Sequence, residues 1–187
     1  MINPKPTNMK QSLLLIILCI ALFSCKSKTS TEEAKTDTVT KLNYPFTPKY
    51  SINWQRGDEK NALIVLNCLK KYVAGDVKGA AENFADTVTF ATDQFFFNGK
   101  RDSLVTILSQ VRGDMASVTK EFDSWMTTYY PDKKDTWVTL WYVEKWTDKK
   151  GKKDSLHYVD DVLLRNGKIL VYDEKIRHDP SPAVKKQ

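Results

Sequence analysis

The residues of this sequence that could carry chemistry lie close together near its carboxyl end. Asp160 and Asp161 are adjacent carboxylates, His157 precedes them, and Tyr172 follows on the next predicted strand. A carboxyl group held among apolar side chains can act as a general acid or base. Along a strand, His157 and Asp161 would lie about 13 Å apart, so they cannot act on the same atom. An enzyme site would therefore use Asp161, with His157 as a second candidate.

The pairing of the last two predicted strands decides which aspartate faces the core. A two-residue turn at Asn166-Gly167 would place Asp161 opposite Tyr172 and Asp160 opposite Asp173. Two directly opposed carboxylates belong in water rather than in a core. A regular hairpin therefore predicts that Asp161 points inward and Asp160 outward.

A buried Asp161 beside Tyr172 has two interpretations. It is either a polar anchor for a ligand in an aromatic pocket or a structural acid with satisfied hydrogen bonds. Three further aromatic residues are pocket candidates, although each could equally belong to the core or to a dimer face: Phe90, Trp125 and Trp141. Whether Trp141 or its neighbour Tyr142 points inward is left open, because it depends on the strand register.

Composition argues against several classes of function. The 187 residues contain 41% hydrophobic and 28% charged residues, which is typical of a globular protein. The 29 basic residues exceed the 23 acidic ones only slightly, and part of that excess precedes the mature protein, so no nucleic-acid partner is expected. With two histidines and neither a Cys-x-x-Cys nor a His-Glu-x-x-His motif, the sequence predicts no metal site and no cofactor.

The amino terminus has the features of a targeting signal. Lys5 and Lys10 precede the uncharged run from Leu13 to Phe23, which is shorter than the about 20 apolar residues that span a bilayer. The run ends in LFSC, which resembles a bacterial lipobox, and the resemblance implies cleavage before Cys25 and lipidation of that residue. The start could equally be Met9. An ordinary secretory signal or a buried helix is the alternative.

These features predict a domain order: a signal peptide over residues 1–24, a flexible tether over 25–50, a folded domain over 51–178 and a tail over 179–187. Cys25 would tie the protein to a membrane, and Lys26 after it resembles an outer-membrane address in the bacterial envelope, facing the periplasm or the outside. Only Cys68 would then remain as a thiol, which excludes an internal disulfide. On the apolar side of its helix, Cys68 is expected to be a small buried residue.

The folded part shows a clear succession of patterns. A helix follows Asp58, a second short helix capped by Asp76 ends near Asp86, and a strand runs from Thr87 to Thr92. Asn98-Gly99 has the composition of a tight turn. A third helix and four antiparallel strands complete the prediction, the strands covering 119–129, 136–147, 155–165 and 168–177.

This order resembles the nuclear transport factor 2-like and SnoaL-like superfamily, and three passages are similar to those of that family: YVAGD from Tyr72, FAD from Phe84 and DVLLRNGKI from Asp161. The resemblance implies an α+β fold in which a cone-shaped, strongly bent antiparallel sheet packs on three N-terminal helices. It also implies a homodimer, since members often pair through the open sheet face.

Ketosteroid isomerases resemble this chain in layout, and they place three catalytic groups in the cone. The family's helix tyrosine falls on Cys68, and its base falls on Thr92, one residue from Asp93. Only the late acid is matched, by Asp161. The resemblance therefore implies a cone without the complete isomerase set.

Three functions stay open. The first is a membrane-anchored lipoprotein whose domain binds a small apolar ligand or a protein partner without catalysis. The second is an isomerase or cyclase that acts on a hydrophobic molecule through Asp161. The third is a structural dimeric module without a ligand, which would require aromatic side chains to fill the cone.

Overall fold

A computed structural model describes residues 42–177 of the chain, and the compact unit that carries the fold begins at Phe46. The signal run, Cys25 and the tail over 179–187 lie outside the described residues, as does most of the tether. Tyr50 packs against the rings of Tyr130 and Trp137, with centroids 4.7 and 5.9 Å away. No helix between residues 42 and 177 has the length and apolar character needed to cross a membrane.

The described residues form an α+β domain in which three helices pack on one curved sheet. In chain order the elements are β1 Gln55–Arg56, α1 Lys60–Val73, α2 Val77–Ala80 with a 3-10 turn Ala81–Asn83, β2 Phe84–Ala91, β3 Phe96–Lys100, α3 Arg101–Gly113, β4 Met115–Tyr130, β5 Asp135–Asp148, β6 Lys153–Arg165 and β7 Lys168–Arg177. The predicted class is confirmed, and so is the order of the elements from α1 onward; the short strand β1 was not predicted.

The sheet has the strand order β1-β4-β5-β6-β7-β2-β3. All neighbours are antiparallel except β2 and β7, which run parallel. The long strands β4 to β7 form a continuous meander, because each pair is joined by a short turn. The helices α1 and α3 contact this sheet, the short α2 packs against both of them, and the hydrophobic core lies between the helices and the sheet.

The first two helices follow the predicted pattern. Val65 and Leu69 of α1 are buried in the core, as their spacing indicates. The carboxylate of Asp76 caps α2 and accepts a hydrogen bond from the Gly79 amide at 2.8 Å. A Cβ atom at Gly79 would lie 2.0 Å from that carboxylate, so the cap and the glycine require each other. This helical segment ends at Asn83 rather than near Asp86.

The prediction of a tight turn at Asn98-Gly99 is wrong. Both residues lie inside β3, where Asn98 donates a hydrogen bond to the Thr89 hydroxyl at 2.8 Å. The turn between β2 and β3 is made instead by Thr92, whose hydroxyl accepts from the amides of Gln94 and Phe95. The Thr92 side chain thus supplies the hydrogen bonds that close the turn.

The predicted hairpin turn at Asn166-Gly167 is confirmed, with positive φ angles of 52° and 72°. The pairing beyond it is not regular, because Leu164 pairs with Ile169 whereas Leu163 pairs with Val171. Leu170 is therefore an extra residue in β7, a β-bulge. It shifts every later partner on β7 by one residue.

Candidate functional site

A cavity of about 420 Å³ opens between the helices and the inner face of the sheet. Its walls on the helix side are apolar, and so is the wall made by β2. The residues on these walls are Cys68, Leu69, Tyr72, Val77, Ala80, Ala81, Phe84, Phe90, Ile107, Leu108 and Val111. The sheet side is different, since it contributes Lys120, Glu144, Tyr158, Tyr172 and Glu174. The cavity is thus an apolar pocket with one polar end.

Lys120 and Glu144 form a buried ion pair at the polar end. They lie opposite each other on β4 and β5, and their side chains are 5% and 8% exposed. The Lys120 ammonium also donates to the Tyr142 hydroxyl at 3.0 Å and lies 4.1 Å from the centre of the Tyr142 ring. This cation is therefore held by a carboxylate, a hydroxyl and an aromatic face together.

Asp160 lies behind this ion pair in the core. Its carboxylate is fully buried, and one oxygen, Oδ2, accepts hydrogen bonds from the hydroxyls of Tyr142, at 2.9 Å, and Tyr172. The other oxygen, Oδ1, has no hydrogen-bond partner among the described residues. Two tyrosines therefore fix the position of the acid while leaving part of its hydrogen-bonding capacity unused.

Glu174 lines the cavity directly opposite Asp160 in the sheet. Burial raises the pKa of its carboxyl to about 8, and the nearby charge of Asp160 adds to the effect. Burial also raises the pKa of Asp160, to about 6, while Lys120 and the two tyrosine hydroxyls oppose that rise. Burial and mutual repulsion thus favour the protonated form of both opposed acids.

The Cys68 thiol is buried on the helix side of the cavity, as expected from the sequence. Burial raises its pKa to about 12, so the thiol stays protonated at neutral pH. A protonated thiol is a poor nucleophile. Cys68 therefore acts as part of the apolar wall.

The prediction that Asp161 points inward is wrong. Asp161 lies on the outer face of the sheet, where Lys175 forms ion pairs at 2.8 Å with both Asp161 and Asp173. Asp161 also accepts a hydrogen bond from the Thr139 hydroxyl at 2.6 Å. The bulge at Leu170 is the physical reason, because it places Asp173 rather than Tyr172 opposite Asp161.

The other sequence candidates divide between the two faces. Tyr172 and Phe90 line the cavity, with their rings stacked at 5.4 Å. His157 and Trp141 alternate with the inward-facing Tyr158 and Tyr142, so they lie on the outer face. Trp125 is 44% exposed, packs against the Phe122 ring and does not line the cavity.

Sequence reasoning missed the four charged residues of the polar end: Lys120, Glu144, Asp160 and Glu174. A signal for Glu144 was present, because Val138, Leu140, Tyr142 and Glu144 share one face of a strand whose other members are fully buried. A charged residue that continues an inward-facing series is a candidate for a buried site. No comparable signal located Glu174, since its position depends on the bulge.

No three His, Cys, Asp or Glu side chains between residues 42 and 177 are arranged so that they could hold a metal ion. Glu144 is instead paired with Lys120, and Asp160 accepts hydrogen bonds from the hydroxyls of Tyr142 and Tyr172. The chemistry that this arrangement offers is hydrogen bonding, charge pairing and proton exchange.

No protein-family model and no curated protein matches the chain. Solved structures do match. A candidate dehydratase of the NTF2-like family from Streptomyces avermitilis is 11% identical and has a TM-score of 0.56, with 65% of this chain and 96% of that chain covered. An NTF2-like protein of unknown function from Burkholderia pseudomallei is 14% identical at a TM-score of 0.53, with coverages of 63% and 90%.

A third similar structure is that of TerC co-crystallised with polyporic acid. It is 13% identical, with a TM-score of 0.52 and coverages of 63% of this chain and 91% of that chain. At such identities the likeness establishes the fold alone. The fold is the nuclear transport factor 2-like fold, as the order of elements and the YVAGD, FAD and DVLLRNGKI passages indicated.

Proposed function

We propose that this domain binds a small, largely apolar molecule in its cavity, with the polar group of that molecule at the Glu174 end. The observation that carries the proposal is the cavity itself, whose apolar walls converge on one charged cluster. Ligand pockets in proteins have volumes of about 300 to 1,000 Å³ and combine apolar walls with a few placed polar groups. The present cavity, at about 420 Å³, has both properties.

The similar structures support a ligand-binding role without identifying the ligand. One of them was crystallised with polyporic acid, and another is a candidate dehydratase. Both descriptions favour a role with small molecules, and neither identifies a ligand, because one fold can carry many functions. An open cavity is also not expected of a purely structural module whose aromatic side chains fill the cone.

Proton transfer in the cavity is a second candidate function, and Glu174 is the residue that favours it. Its carboxyl lines the cavity and makes no hydrogen bond to any described residue. With a pKa raised to about 8, Glu174 can give or take a proton near neutral pH, which a general acid or base must do. An isomerase or cyclase role would thus rest on Glu174, since Asp161 faces away from the cavity.

The location of the protein is part of the same proposal. The short apolar run and LFSC at Cys25 support a lipoprotein of the bacterial envelope. The stretch between Cys25 and the compact unit that begins at Phe46 would then act as a tether of about 20 residues, with a random-coil end-to-end distance on the order of 25 Å. A domain so placed would meet small apolar molecules that leave or approach the bilayer.

Binding can be tested with 2-naphthylmethanol, a neutral probe with an apolar body, by isothermal titration calorimetry. Val111 lines the cavity and is 46% exposed, so Val111→Trp should narrow the cavity with little loss of stability. We expect this change to weaken binding about tenfold or more, as steric exclusion from a pocket does. Leu63→Trp is the control, because Leu63 is 57% exposed and does not line the cavity. Equal binding by both variants would reject the cavity as the site.

A further inference from the structure

Carboxyl groups outnumber cations at the polar end of the cavity. Glu144 and Glu174 line it, and Asp160, which is buried in the core and does not line the cavity, lies opposite Glu174 in the sheet. Lys120 is the single cation among the described residues that line the cavity. Lys120 is already engaged by Glu144 and by the Tyr142 hydroxyl. Neither Asp160 nor Glu174 therefore has a cation of its own.

We propose that the ligand of this cavity carries a basic nitrogen, as a protonated amine or amidine on an apolar body, and that this nitrogen binds Glu174. The inference rests on the proposed function and deepens it by naming the chemical class of the ligand. A protonated amine would pair with the Glu174 carboxylate, which forms when Glu174 releases its proton on binding. The apolar body would fill the space between Phe90, Leu108 and Val111.

The missing hydrogen bond of Glu174 points to a donor from outside the chain. Glu174 lines the cavity without a hydrogen bond to any described residue, although its carboxyl is a strong acceptor when ionised. Asp160, directly opposite in the sheet, is fully buried and leaves Oδ1 without a partner. Buried acceptors are normally paired in folded proteins. A cationic donor in the cavity would give Glu174 a hydrogen-bond partner. It would also reduce the repulsion between the carboxylates of Glu174 and Asp160.

The aromatic lining also favours a cation. Lys120 already places its ammonium 4.1 Å from the centre of the Tyr142 ring and 5.4 Å from that of Tyr158. The ring of Tyr158 and those of Tyr72 and Phe90 line the cavity. Ring faces attract cations, and the attraction strengthens when water is excluded. The aromatic rings of the pocket wall already attract the Lys120 ammonium, and they can also attract the ammonium group of a ligand.

An anionic ligand does not fit this site. It would approach Glu144 and Glu174, and the one ammonium available to it is shared with Glu144. A neutral ligand could still accept a hydrogen bond from protonated Glu174. That alternative gives a different result in the experiment below, because it requires no change in the protonation of Glu174.

The protonation of Glu174 supplies the decisive readout. Its pKa is raised to about 8 by burial and by neighbouring acids, so most Glu174 is protonated at pH 7. Binding of an ammonium requires the carboxylate, and the proton must be released to solvent. The ionisable groups that face Glu174 are Asp160 and Tyr158 from β6, Glu144 and Tyr142 from β5, Lys120 from β4, Asp93 from the β2–β3 loop and Tyr72 from α1.

Three probes with the same ring system test the inference: 2-naphthylmethylamine, 2-naphthylmethanol and 2-naphthoate. Calorimetry on the full chain at pH 7, in two buffers of different ionisation enthalpy, measures affinity and proton release together. We expect the amine to bind about tenfold more tightly than the alcohol, as a charge-assisted hydrogen bond allows. The amine should release up to one proton and the alcohol none, and the carboxylate should bind most weakly.

Two variants locate the effect. Glu174→Gln should bind the amine no more tightly than the alcohol and should release no proton. Asp161→Asn is the matched control, because Asp161 lies on the outer face, and it should behave as the unmodified protein. If Glu174→Gln does not fold, the proton release of the unmodified protein still decides the question.

The outcomes separate the two proposals. Equal affinity for amine and alcohol without proton release would overturn the amine inference and leave the binding cavity intact. The amine inference would also be overturned if the alcohol bound more tightly than the amine and lost that advantage in Glu174→Gln. That result would indicate a neutral ligand that accepts a hydrogen bond from Glu174. Failure of all three probes would reject both the amine inference and the proposed binding function.

Discussion

Asp160 and Asp161 are consecutive residues whose carboxylates lie on opposite faces of the sheet. Asp160 is fully buried and accepts hydrogen bonds from Tyr142 and Tyr172. Asp161 pairs with Lys175 at 2.8 Å on the outer face. The same side chain thus occurs in two environments, one with a pKa raised by burial and one paired in contact with solvent.

The first prediction uses these two aspartates as a matched pair. Asp160→Ala should lower the free energy of unfolding by about 2 to 5 kcal/mol, because it leaves two buried tyrosine hydroxyls without their acceptor. Asp161→Ala should cost less than about 1 kcal/mol, as exposed ion pairs do. Urea unfolding at pH 7 measures both. A reversed order of the two costs would contradict the assigned faces.

The second prediction concerns pH. Glu174 has a pKa near 8 in the folded protein and an ordinary value of 4.5 when unfolded, so the folded state binds its proton more tightly. Stability should therefore fall as pH rises from about 4.5 to 8 and level off above that. Asp160, with a folded pKa near 6, adds to the fall below pH 6. We expect a total loss of more than about 1 kcal/mol between pH 5 and pH 8.

Glu174→Gln should remove most of this dependence. The variant should match the unmodified protein near pH 4.5 and exceed it in stability at pH 8, since it has no charge to bury. Glu121→Gln is the control, because Glu121 is exposed and pairs with Lys145 at 2.7 Å on the surface. Urea unfolding across the pH range compares the three proteins. A Glu174→Gln profile parallel to that of the unmodified protein would show that another group is responsible.

The third prediction tests the bulge in β7. Deletion of Leu170 should leave a folded protein that has lost about 1 to 3 kcal/mol, because the partners on either side of the bulge can then form a regular ladder. Deletion of Leu163 on the partner strand should abolish cooperative folding, since it turns the rest of β6 to the wrong face. Circular dichroism during thermal unfolding distinguishes the two. Equal damage by both deletions would argue that Leu170 is not an extra residue.

The fourth prediction concerns the lipidation of Cys25. Cys25 should be acylated, and labelling of growing cells with a palmitate analogue should mark the unmodified protein and leave Cys25→Ala unmarked. Cys68→Ala should keep the label, because that thiol is buried in the domain. Label on Cys25→Ala, or its absence from the unmodified protein, would refute the lipoprotein proposal.

Much of the fold follows from local sequence patterns. The spacing of Val65 and Leu69, the Asp76 cap and the Asn166-Gly167 turn each act over a few residues, so their effects can be read from the chain itself. The order of helices and strands, and with it the α+β class, follows from such local signals. The same kind of signal gave a wrong prediction at Asn98-Gly99. These two residues pair with β2, and the Asn98 side chain donates a hydrogen bond to Thr89 of that strand, so they form part of β3 instead of a turn.

The candidate site was decided by the tertiary structure. The physical rule that opposed carboxylates belong in water holds for the pair Asp161 and Asp173, which Lys175 bridges on the outer face. It fails for the opposed pair Asp160 and Glu174, which lies within the fold because Lys120, Tyr142 and Tyr172 reach it from three strands. The bulge residue Leu170 determined which of these two pairs of acids faces the core and which faces outward. The sequence by itself determined the helices and strands and their order. Which side chains of β6 and β7 face the core depended on a bulge and on partners more than ten residues away, and no local pattern encodes these.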